Sequence, residues 1–310
     1  MDRIVVVANP SASQFTGGAH RQVMSQLRKE GSVEPLWPES PAAAQTRAAQ
    51  AAESGADVVV AMGGDGIVHH VAQGLVDTDT ALGIIPVGTT NVIARLLGIP
   101  TRPSKAARLI TESTQTRSLG TAAMTLRRGS VETTHHAVFA CGFGLDAAVV
   151  LEADKDPYRK YRFGSLHYAT TALGVALKDF ARRKPGVTVT IGAEERIATT
   201  ALIQFREIYT YFGAIPLRLS PETPDPMTLL TLGRLHRRHI PRIITTALRG
   251  ADLGVIPEME VFPHVKSVEV WSDPPVAAQA DGESLGLVDG GTVVWAPDSL
   301  RVVAPQAPPL

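Results

Sequence analysis

The chain has 310 residues, 44% hydrophobic and 19% charged, which suits one large or two modest globular domains and excludes disorder for most of the chain. Its 30 basic and 30 acidic residues give a formal net charge of zero, which argues against a strongly basic nucleic-acid-binding surface. Cys141 is the only cysteine, so an intramolecular disulfide and a cysteine-based zinc site are excluded, and a reducing compartment such as the cytoplasm fits best.

The N-terminal sequence opens with an apolar run that we interpret as a first strand. It lacks a long apolar segment that closes on a small-residue cleavage site, so a signal peptide is not predicted. The stretch without charged residues at Gly164–Leu177 is shorter than the roughly 18 apolar residues of a membrane span. A soluble or peripheral protein is therefore predicted.

In the first part of the chain, apolar β-branched runs alternate with alanine-rich stretches. This alternation is typical of βα units and predicts an open α/β layer around a parallel sheet. The predicted strands are Ile4–Ala8, Val58–Met62 and Leu82–Ile85. The predicted helices are one that ends near Lys29, then Ala42–Ser54, Ile67–Leu75, Asn91–Leu97 and Ser104–Thr111.

After about Ser118 short apolar runs predominate, which predicts a mostly antiparallel β domain. Its predicted strands are Ala122–Leu126, Ala137–Ala140, Val187–Ile191, Ile197–Gln204, Val268–Trp271 and Thr292–Ala296. Apolar residues at helical spacing predict two helices within this domain, at Gly164–Arg183 and His239–Arg249.

The most informative motif is Gly63-Gly64-Asp65-Gly66, which lies between an apolar strand and a helix. Glycines at such a turn let the backbone approach a phosphate, and the helix N-terminus favours negative charge. A tight turn in which glycine only supplies a positive φ is the structural alternative. An aspartate enclosed by three glycines contributes little to packing and is well suited to organise Mg2+ or ribose, so phosphate binding is the preferred interpretation.

Two further polar turns follow predicted strands. Gly88-Thr89-Thr90-Asn91 follows Leu82–Ile85, and Asn9-Pro10-Ser11 follows the first strand. Thr90 or Asn91 is predicted to cap the next helix. Open α/β sheets bind ligands at the carboxyl ends of their strands, so we expect the three turns to converge there. None matches the P-loop or the G-x-G-x-x-G spacing.

The last motif is Asp281-Gly282-Glu283, late in the predicted β domain. The structural interpretation is a hairpin turn, which Asp-Gly favours, with Glu283 as a solvated neighbour. The functional interpretation is a carboxylate pair that supplies a general base and a metal contact.

Together these motifs resemble the diacylglycerol kinase catalytic-domain family, which includes sphingosine and ceramide kinases. GGDG alone is shared with NAD kinases and phosphofructokinases, but GGDG followed by GTTN and by a late DGE is more specific. The segment Phe139–Val150 is also similar to the family's entry into its second domain. The resemblance covers nearly the whole chain.

The resemblance implies an α/β N-terminal nucleotide-binding domain, residues 1–120 completed by about 298–305, and a mostly antiparallel, β-sandwich-like lipid-substrate domain, 121–297. ATP would lie in the interdomain cleft. The reaction implied is transfer of the ATP γ-phosphate to a hydroxyl of diacylglycerol or a related lipid, with Mg2+ as cofactor. The partner implied is a lipid at the inner membrane surface, with peripheral membrane contact and no nucleic acid; a homodimer is left open.

The same resemblance implies roles for individual residues. Glu283 would take the proton of the attacking hydroxyl, and Asp65 and Asp281 would be catalytic carboxylates beside Mg2+, because phosphoryl transfer needs positioning, charge neutralisation and a proton acceptor. The residues that would line the nucleotide site are Asn9, Pro10, Ser11, Gly63, Gly64, Asp65, Gly66, Gly88, Thr89, Thr90 and Asn91.

Several positions depart from the family pattern: Ile67, His69, His70, Val92 and Ser118 replace residues that are commonly polar or acidic. These losses motivate one alternative, a catalytically impaired relative that binds lipid or nucleotide. An NAD kinase-like enzyme is the other alternative. Because neighbouring helical residues point about 100° apart, at most one of the two histidines can face a nucleotide, and space-filling or capping is the simpler role for both.

Two basic segments carry a further prediction. Arg159–Arg162 and Arg234–Arg242 have the composition of solvated faces, but in a peripheral lipid kinase they would contact membrane headgroups.

Overall fold

The computed structural model describes residues 2–113, 116–153, 155, 171, 174–175, 185–212, 215–220 and 225–305. The chain divides into two compact units. Unit 1 comprises Met1–Thr121 and Ala296–Leu310, and unit 2 comprises Ala122–Trp295.

Unit 1 is built on a parallel sheet. Its strands are β1 (Arg3–Ala8), β2 (Ser32–Leu36), β3 (Val58–Gly63) and β4 (Ala81–Pro86), in the order β2-β1-β3-β4. The register pairs Ala8 with Met62 and Gly63 with Pro86, so β1, β3 and β4 end in one row. The last strand of the chain pairs with β4 in parallel through Val302 and Leu82, which extends this sheet.

The described part of unit 1 contains five helices: α1 (Gly17–Leu27), α2 (Pro41–Glu53), α3 (Asp65–Gln73), α4 (Val92–Leu96) and α5 (Pro103–Glu112). Helix α1 packs on α5, and α2 packs on α3. Strand β3 and strand β4 are buried along their whole length. Continuous apolar strands are typical of a parallel sheet with both faces covered, so the predicted α/β layer is confirmed.

Unit 2 is mostly antiparallel. Its strands and those that continue into unit 1 are β5 (Arg117–Arg128), β6 (Val131–Ala137), β7 (Ala140–Phe143), β8 (Val187–Ile191), β9 (Glu194–Ala198), β10 (Thr200–Gln204), β11 (Thr210–Phe212), β12 (Ile215–Leu217), β13 (Met227–Leu232), β14 (Met259–Val265), β15 (Ser267–Ala280) and β16 (Glu283–Val302). Neighbours run in the order β14-β13-β10-β7-β15, and β15 also pairs with β8 and β16.

Helices cover part of unit 2. Among the described residues of this unit they are α6 (Leu145–Ala153) and α7 (Ile240–Leu248), with 3-10 turns at Arg237–His239 and Leu253–Val255. One apolar core includes Cys141 and Phe143 of β7, and a second packs Ile240 and Leu253 together. None of the helices in the described ranges has the length and apolar character needed to cross a membrane.

Two predicted strands differ from the structure, and strands β2, β6, β11, β12, β13 and β14 and helix α6 were not predicted. The predicted strand at Ala137–Ala140 is wrong, because β6 ends and β7 begins there with a turn between them. The predicted strand Ile197–Gln204 is two strands that separate at Thr199. Strand β2 was not predicted, because it is an edge strand with a proline and no regular apolar alternation. The predicted helix Gly164–Arg183 and the basic run Arg159–Arg162 lie almost entirely outside the described residues.

Candidate active site

The three predicted turns of unit 1 lie side by side at the carboxyl edge of the parallel sheet. Backbone hydrogen bonds join them: Asn9 N donates to Met62 O at 2.9 Å, and Val87 N donates to Gly63 O at 2.9 Å. The loop after β1 reaches the turn after β4, where Gln14 N donates to Val87 O at 2.9 Å. Converging strand ends thus produce one continuous polar edge, where open α/β sheets hold their ligands.

Glycine is required where the two turns touch. A Cβ atom built on Gly88 would lie 2.4 Å from the Cα of Gly64. Two non-bonded carbon atoms cannot approach so closely, so any residue other than glycine would clash here. Neither residue has a positive φ, so the requirement comes from close backbone approach. The structural interpretation of the GGDG glycines as suppliers of positive φ is therefore wrong, since Gly63, Gly64 and Gly66 all lack a positive φ. An approach this close leaves backbone groups unobstructed by side chains, as phosphate contact requires.

Side chains stabilise the turns internally. Asn9 Oδ1 accepts a hydrogen bond from Ser11 N at 2.9 Å, and the hydroxyls of Ser13 and Thr89 are 2.9 Å apart. Asn91 has a left-handed backbone with φ of 51°, and its side chain folds back onto Gly88. Each turn is thus held in shape before any ligand arrives.

Asp65 begins helix α3 and contacts helix α4. Its Oδ1 accepts a hydrogen bond from Ile93 N at 3.0 Å. The predicted side-chain cap of α4 by Thr90 or Asn91 is therefore wrong: Asn91 occupies the N-cap position but makes no side-chain cap hydrogen bond, and Asp65 accepts the amide hydrogen instead. The helix dipole also stabilises a carboxylate in this position, because the N-terminus of a helix carries a partial positive charge.

The departures from the family pattern are mostly packed into unit 1. Ile67 lies against Gly63, where an added Cβ would meet its Cγ2 at 2.2 Å. His69 is only 1% exposed, and its ring meets that of His70 edge-on with centroids 5.1 Å apart. Val92 is buried, whereas Ser118 is exposed on β5. Space-filling therefore accounts for Ile67 and His69.

The late motif forms a tight hairpin turn in unit 2. Ala280 of β15 pairs with Glu283 of β16, and the two residues between them, Asp281 and Gly282, have φ angles of 53° and 80°. Two consecutive positive φ angles are characteristic of a type I′ turn, which Asp-Gly favours. The predicted hairpin is confirmed.

The carboxylate of Asp281 is buried, with 3% exposure, and accepts hydrogen bonds from backbone amides. Val138 N donates to Oδ1 and Oδ2 at 3.0 and 2.8 Å, and Phe139 N donates to Oδ1 at 2.9 Å. These amides belong to the turn between β6 and β7, which explains why no strand continues there. Asp281 therefore fixes both its own turn and that neighbouring turn, whichever other role it has.

Sequence reasoning missed a polar network below the same turn. Gln279 is 2% exposed, and its Oε1 accepts a hydrogen bond from Gly282 N at 2.9 Å. Its Nε2 donates to Asp146 Oδ2 at 2.8 Å, and the Tyr209 hydroxyl donates to the same carboxylate. Burial first, and then the Asp146 charge, raise the pKa of Tyr209 well above its usual range. In the sequence, only the position of Gln279 two residues before Asp281-Gly282 could have indicated this network.

Aromatic residues near the carboxyl edge of the sheet in unit 1 were also missed. Trp37 directly follows β2, and its ring lies 5.9 Å from that of Phe15 and 4.8 Å from that of His20. Burial is the main cause that lowers the pKa of His20, with a smaller contribution from nearby arginines. Nothing in the spacing of these residues connects them, because β2 itself was not predicted.

No cluster of three or more His, Cys, Asp or Glu side chains suited to a metal occurs within the described ranges. Asp65 is the only acidic residue in the three turns of unit 1. Mg2+ in phosphoryl-transfer sites commonly uses one or two carboxylates together with substrate phosphates and water. The donor set of these turns fits that kind of site.

Comparisons with known proteins identify the family. A family model described as the diacylglycerol kinase catalytic domain matches residues 3–122. A curated diacylglycerol kinase from Mycobacterium tuberculosis is 30% identical over 236 residues, 76% of this chain and 73% of the relative. The chain belongs to the diacylglycerol kinase catalytic-domain family. Another relative, a probable lipid kinase YegS-like protein from Stenotrophomonas maltophilia, is 26% identical over 291 residues, 85% of this chain and 84% of that protein.

Solved structures share the fold of this lipid kinase family member. One from Bacillus anthracis covers 98% of this chain and 96% of its own, with a TM-score of 0.76 at 19% identity. A second, described as a diacylglycerol kinase from the same organism, covers 98% of this chain and 97% of its own, with a TM-score of 0.67 at 17% identity. The predicted fold class is confirmed.

Replacing Asp281 by asparagine is expected to lower the free energy of unfolding by roughly 2–3 kcal/mol, because an NH2 group would face backbone N–H donors in a buried position. Urea unfolding measures this loss. Asp298→Asn is the matched control, since Asp298 also has a left-handed backbone, with φ of 50°, but is exposed. Equal stability of the two variants would contradict the structural role of Asp281.

Burial raises the pKa of Asp146 above its ordinary value of 3.8, although hydrogen bonds from Tyr209 and Gln279 oppose the shift. The folded chain therefore binds this proton more tightly than the unfolded chain, and the resulting stabilisation is lost as the pH rises through the raised pKa. We expect wild type to lose stability relative to Asp146→Asn from about pH 4 upwards. Urea unfolding across this range tests it, and parallel stability curves would contradict it.

Proposed function

We propose that the protein is a kinase that transfers the γ-phosphate of ATP to a hydroxyl of diacylglycerol. The observation that carries the proposal is the contact between the Gly64 and Gly88 turns at the carboxyl edge of a parallel sheet. Backbone amides and a helix N-terminus at such an edge suit a polyphosphate. Family membership supports the lipid acceptor, and the relative from Mycobacterium tuberculosis carries the name diacylglycerol kinase.

The three turns of unit 1 would hold the nucleotide. The close approach of Gly64 and Gly88 leaves room for phosphate oxygens where side chains would otherwise stand. Ser11 and Thr89 offer hydroxyl donors to the same oxygens, and the Asn91 side chain keeps the second turn in shape. The proposed nucleotide-contacting residues are Asn9, Pro10, Ser11, Gly63, Gly64, Asp65, Gly66, Gly88, Thr89, Thr90 and Asn91.

Asp65 would hold Mg2+, with Asp281 as the second proposed carboxylate. When bound, Mg2+ supplies charge neutralisation for the phosphate oxygens. Of the two residues Asp65 fits better, because it stands at the phosphate turn and Asp281 already accepts several amide hydrogens. The hydrogen bond from Ile93 N orients the Asp65 carboxylate without neutralising its charge.

Glu283 would accept the proton from the lipid hydroxyl as its oxygen attacks the γ-phosphorus and the bond to the β-phosphate oxygen breaks. Its backbone position is well defined, because it directly follows a turn held by Asp281 on one side and by Gln279 on the other. A general base must be placed within hydrogen-bond reach of the proton, so a rigid turn is a suitable support.

Replacing Gly88 by alanine is expected to abolish binding of Mg-ATP, because the added methyl group would displace the Gly64 turn by an ångström or more. Isothermal titration with Mg-ATP measures the loss. Gly18→Ala is the control, since a Cβ at Gly18 meets nothing closer than 4.0 Å. Unchanged ATP affinity in a folded Gly88→Ala variant would exclude these turns as the phosphate site.

Glu283→Gln is expected to lower kcat at least about a hundredfold, the low end for the loss of a general base. Asp65→Asn is expected to lower it by a comparable factor, because it removes the charge proposed to hold Mg2+. The Asn side chain at position 65 keeps an oxygen for Ile93 N, so the change removes mainly charge. Transfer of labelled phosphate from Mg-ATP to dioctanoylglycerol measures the effect, with sphingosine, ceramide and NAD as alternative acceptors.

Glu269→Gln is the matched control for the base, since Glu269 is an exposed carboxylate on the neighbouring strand β15. The kinase and the proposed residues would be supported if wild type and Glu269→Gln phosphorylate diacylglycerol and the two site variants do not. Transfer to NAD instead would favour an NAD kinase-like enzyme. ATP binding without transfer to any acceptor would favour a catalytically impaired relative, the alternative that Ile67 and Ser118 motivated.

A further inference from the structure

Helix α7 and its surroundings in unit 2 expose an apolar surface. Ile244 and Leu248 on α7 are 47% and 38% exposed, and Val255 in the neighbouring 3-10 turn is 57% exposed. Ile215 on β12, which contacts α7, is 44% exposed. We call these four residues and the arginines around them the α7 surface.

The exposed side chains are not needed for packing α7 onto unit 2. Ile240, Ile243 and Ala247 already pack that helix against the second apolar core. Ile244 and Leu248 are four residues apart and therefore share one stripe, displaced from the centre of the buried stripe by about 70 to 110°. The helix thus has a wider apolar face than its own core uses.

The elements that carry the α7 surface are in contact with one another. Helix α7 contacts both β12 and the 3-10 turn Leu253–Val255. The guanidinium of Arg242 donates to the carbonyl oxygen of Val255 at 3.2 Å, which places a basic group directly beside an exposed apolar one.

The charge around this surface is mainly positive. Residues 234–249 contain five arginines and no acidic residue: Arg234, Arg237, Arg238, Arg242 and Arg249. All five are exposed. Towards the C-terminal side the nearest acidic residues are Asp252, which accepts from Gly254 N at 2.8 Å, and Glu258, which accepts from Arg234 N at 2.7 Å and lies 3.3 Å from His236 Nε2. Their two negative charges offset only part of the charge of the five arginines. In a chain with zero net charge, this is a strong local concentration of positive charge.

We propose that the α7 surface docks on an anionic phospholipid membrane. Ile244, Leu248 and Val255 enter the boundary between headgroups and acyl chains, and the arginines contact lipid phosphates. The exposed anchors are aliphatic, and leucine and valine are under-represented among the residues that dominate protein interfaces, so a lipid surface is the better match for them. The choice of a membrane rests on the proposed function, because a lipid kinase must reach an acceptor that resides in a bilayer.

The test is sedimentation of the full chain with vesicles of phosphatidylcholine alone or of phosphatidylcholine and phosphatidylglycerol in a seven-to-three ratio. Wild type is expected to bind the anionic vesicles at least about tenfold more tightly. The double variant Ile244→Ser/Leu248→Ser is expected to weaken this binding at least about tenfold, since it removes exposed aliphatic carbon that would insert into the membrane. Arg238→Gln and Arg249→Gln are each expected to weaken it about fivefold.

Matched controls lie elsewhere on the chain. Ile197→Ser removes an aliphatic side chain that is 55% exposed on β9, and Arg47→Gln removes an exposed arginine of α2. Both are expected to bind vesicles like wild type. Equal loss in the controls, equal affinity for the two vesicle types, or unchanged binding of the Ile244 and Leu248 variant would overturn the proposal. Self-association in solution that this variant abolishes would assign the surface to a second copy instead.

A second measurement separates docking from catalysis. On dispersed short-chain dioctanoylglycerol, the docking variants are expected to retain the wild-type kcat, while phosphorylation of long-chain diacylglycerol in anionic vesicles falls with binding. If wild type phosphorylates no lipid but still binds anionic vesicles through the α7 surface, the proposed activity fails and the docking surface stands. If kinase activity on vesicles is intact in the variants, docking fails and the kinase stands.

Discussion

The contact between Gly64 and Gly88 is the constraint on which the proposed nucleotide-binding edge of unit 1 depends. Parallel pairing places the ends of β3 and β4 in register, so their following turns must cross the edge next to each other. Any side chain at Gly88 would collide with the neighbouring backbone. The helices that follow can then begin at adjacent points, with the Asp65 carboxylate bridging from one to the other. One steric requirement thus determines the spacing of two helix N-termini.

In unit 2, buried polar contacts set the geometry of the turn that carries Asp281 and Glu283, as the glycine contact does for the turns of unit 1. The Asp281 carboxylate is held by amides of the β6–β7 turn, and its cost of burial is offset because those amides have no strand partner there. On the other side, Gln279 connects Gly282 to Asp146 and Tyr209. Two carboxylates that a motif suggests as catalytic, Asp65 and Asp281, thus also stabilise local structure. Loss of activity on mutation would therefore combine two effects, which is why stability must be measured beside rate.

Helix α7 illustrates a different balance. Its amphipathic pattern was visible in the sequence, and the structure confirms a helix at Ile240–Leu248. The pattern alone does not distinguish residues that pack from residues that remain exposed, since Ile243 and Ile244 are equally apolar. Only the position of the second core makes Ile240 internal and leaves Ile244 at the surface. The excess apolar width, combined with arginine, is the basis for the proposed membrane contact.

The sequence alone determined the α/β and β division, the turns of the site and the family, because strand ends, glycines and Asp-Gly carry strong local preferences. It did not determine how the polar side chains are used. Asp65, not Asn91, accepts the hydrogen bond from the first turn of α4, while the Asn91 side chain bonds to Gly88. Gln279 bonds to Gly282 of the Asp-Gly turn, a contact that the residues around it in the sequence did not indicate. These outcomes depend on partners 28 and 133 residues away, as in the bonds from Ile93 to Asp65 and from Gln279 to Asp146. Only the tertiary structure brings such partners within hydrogen-bond distance.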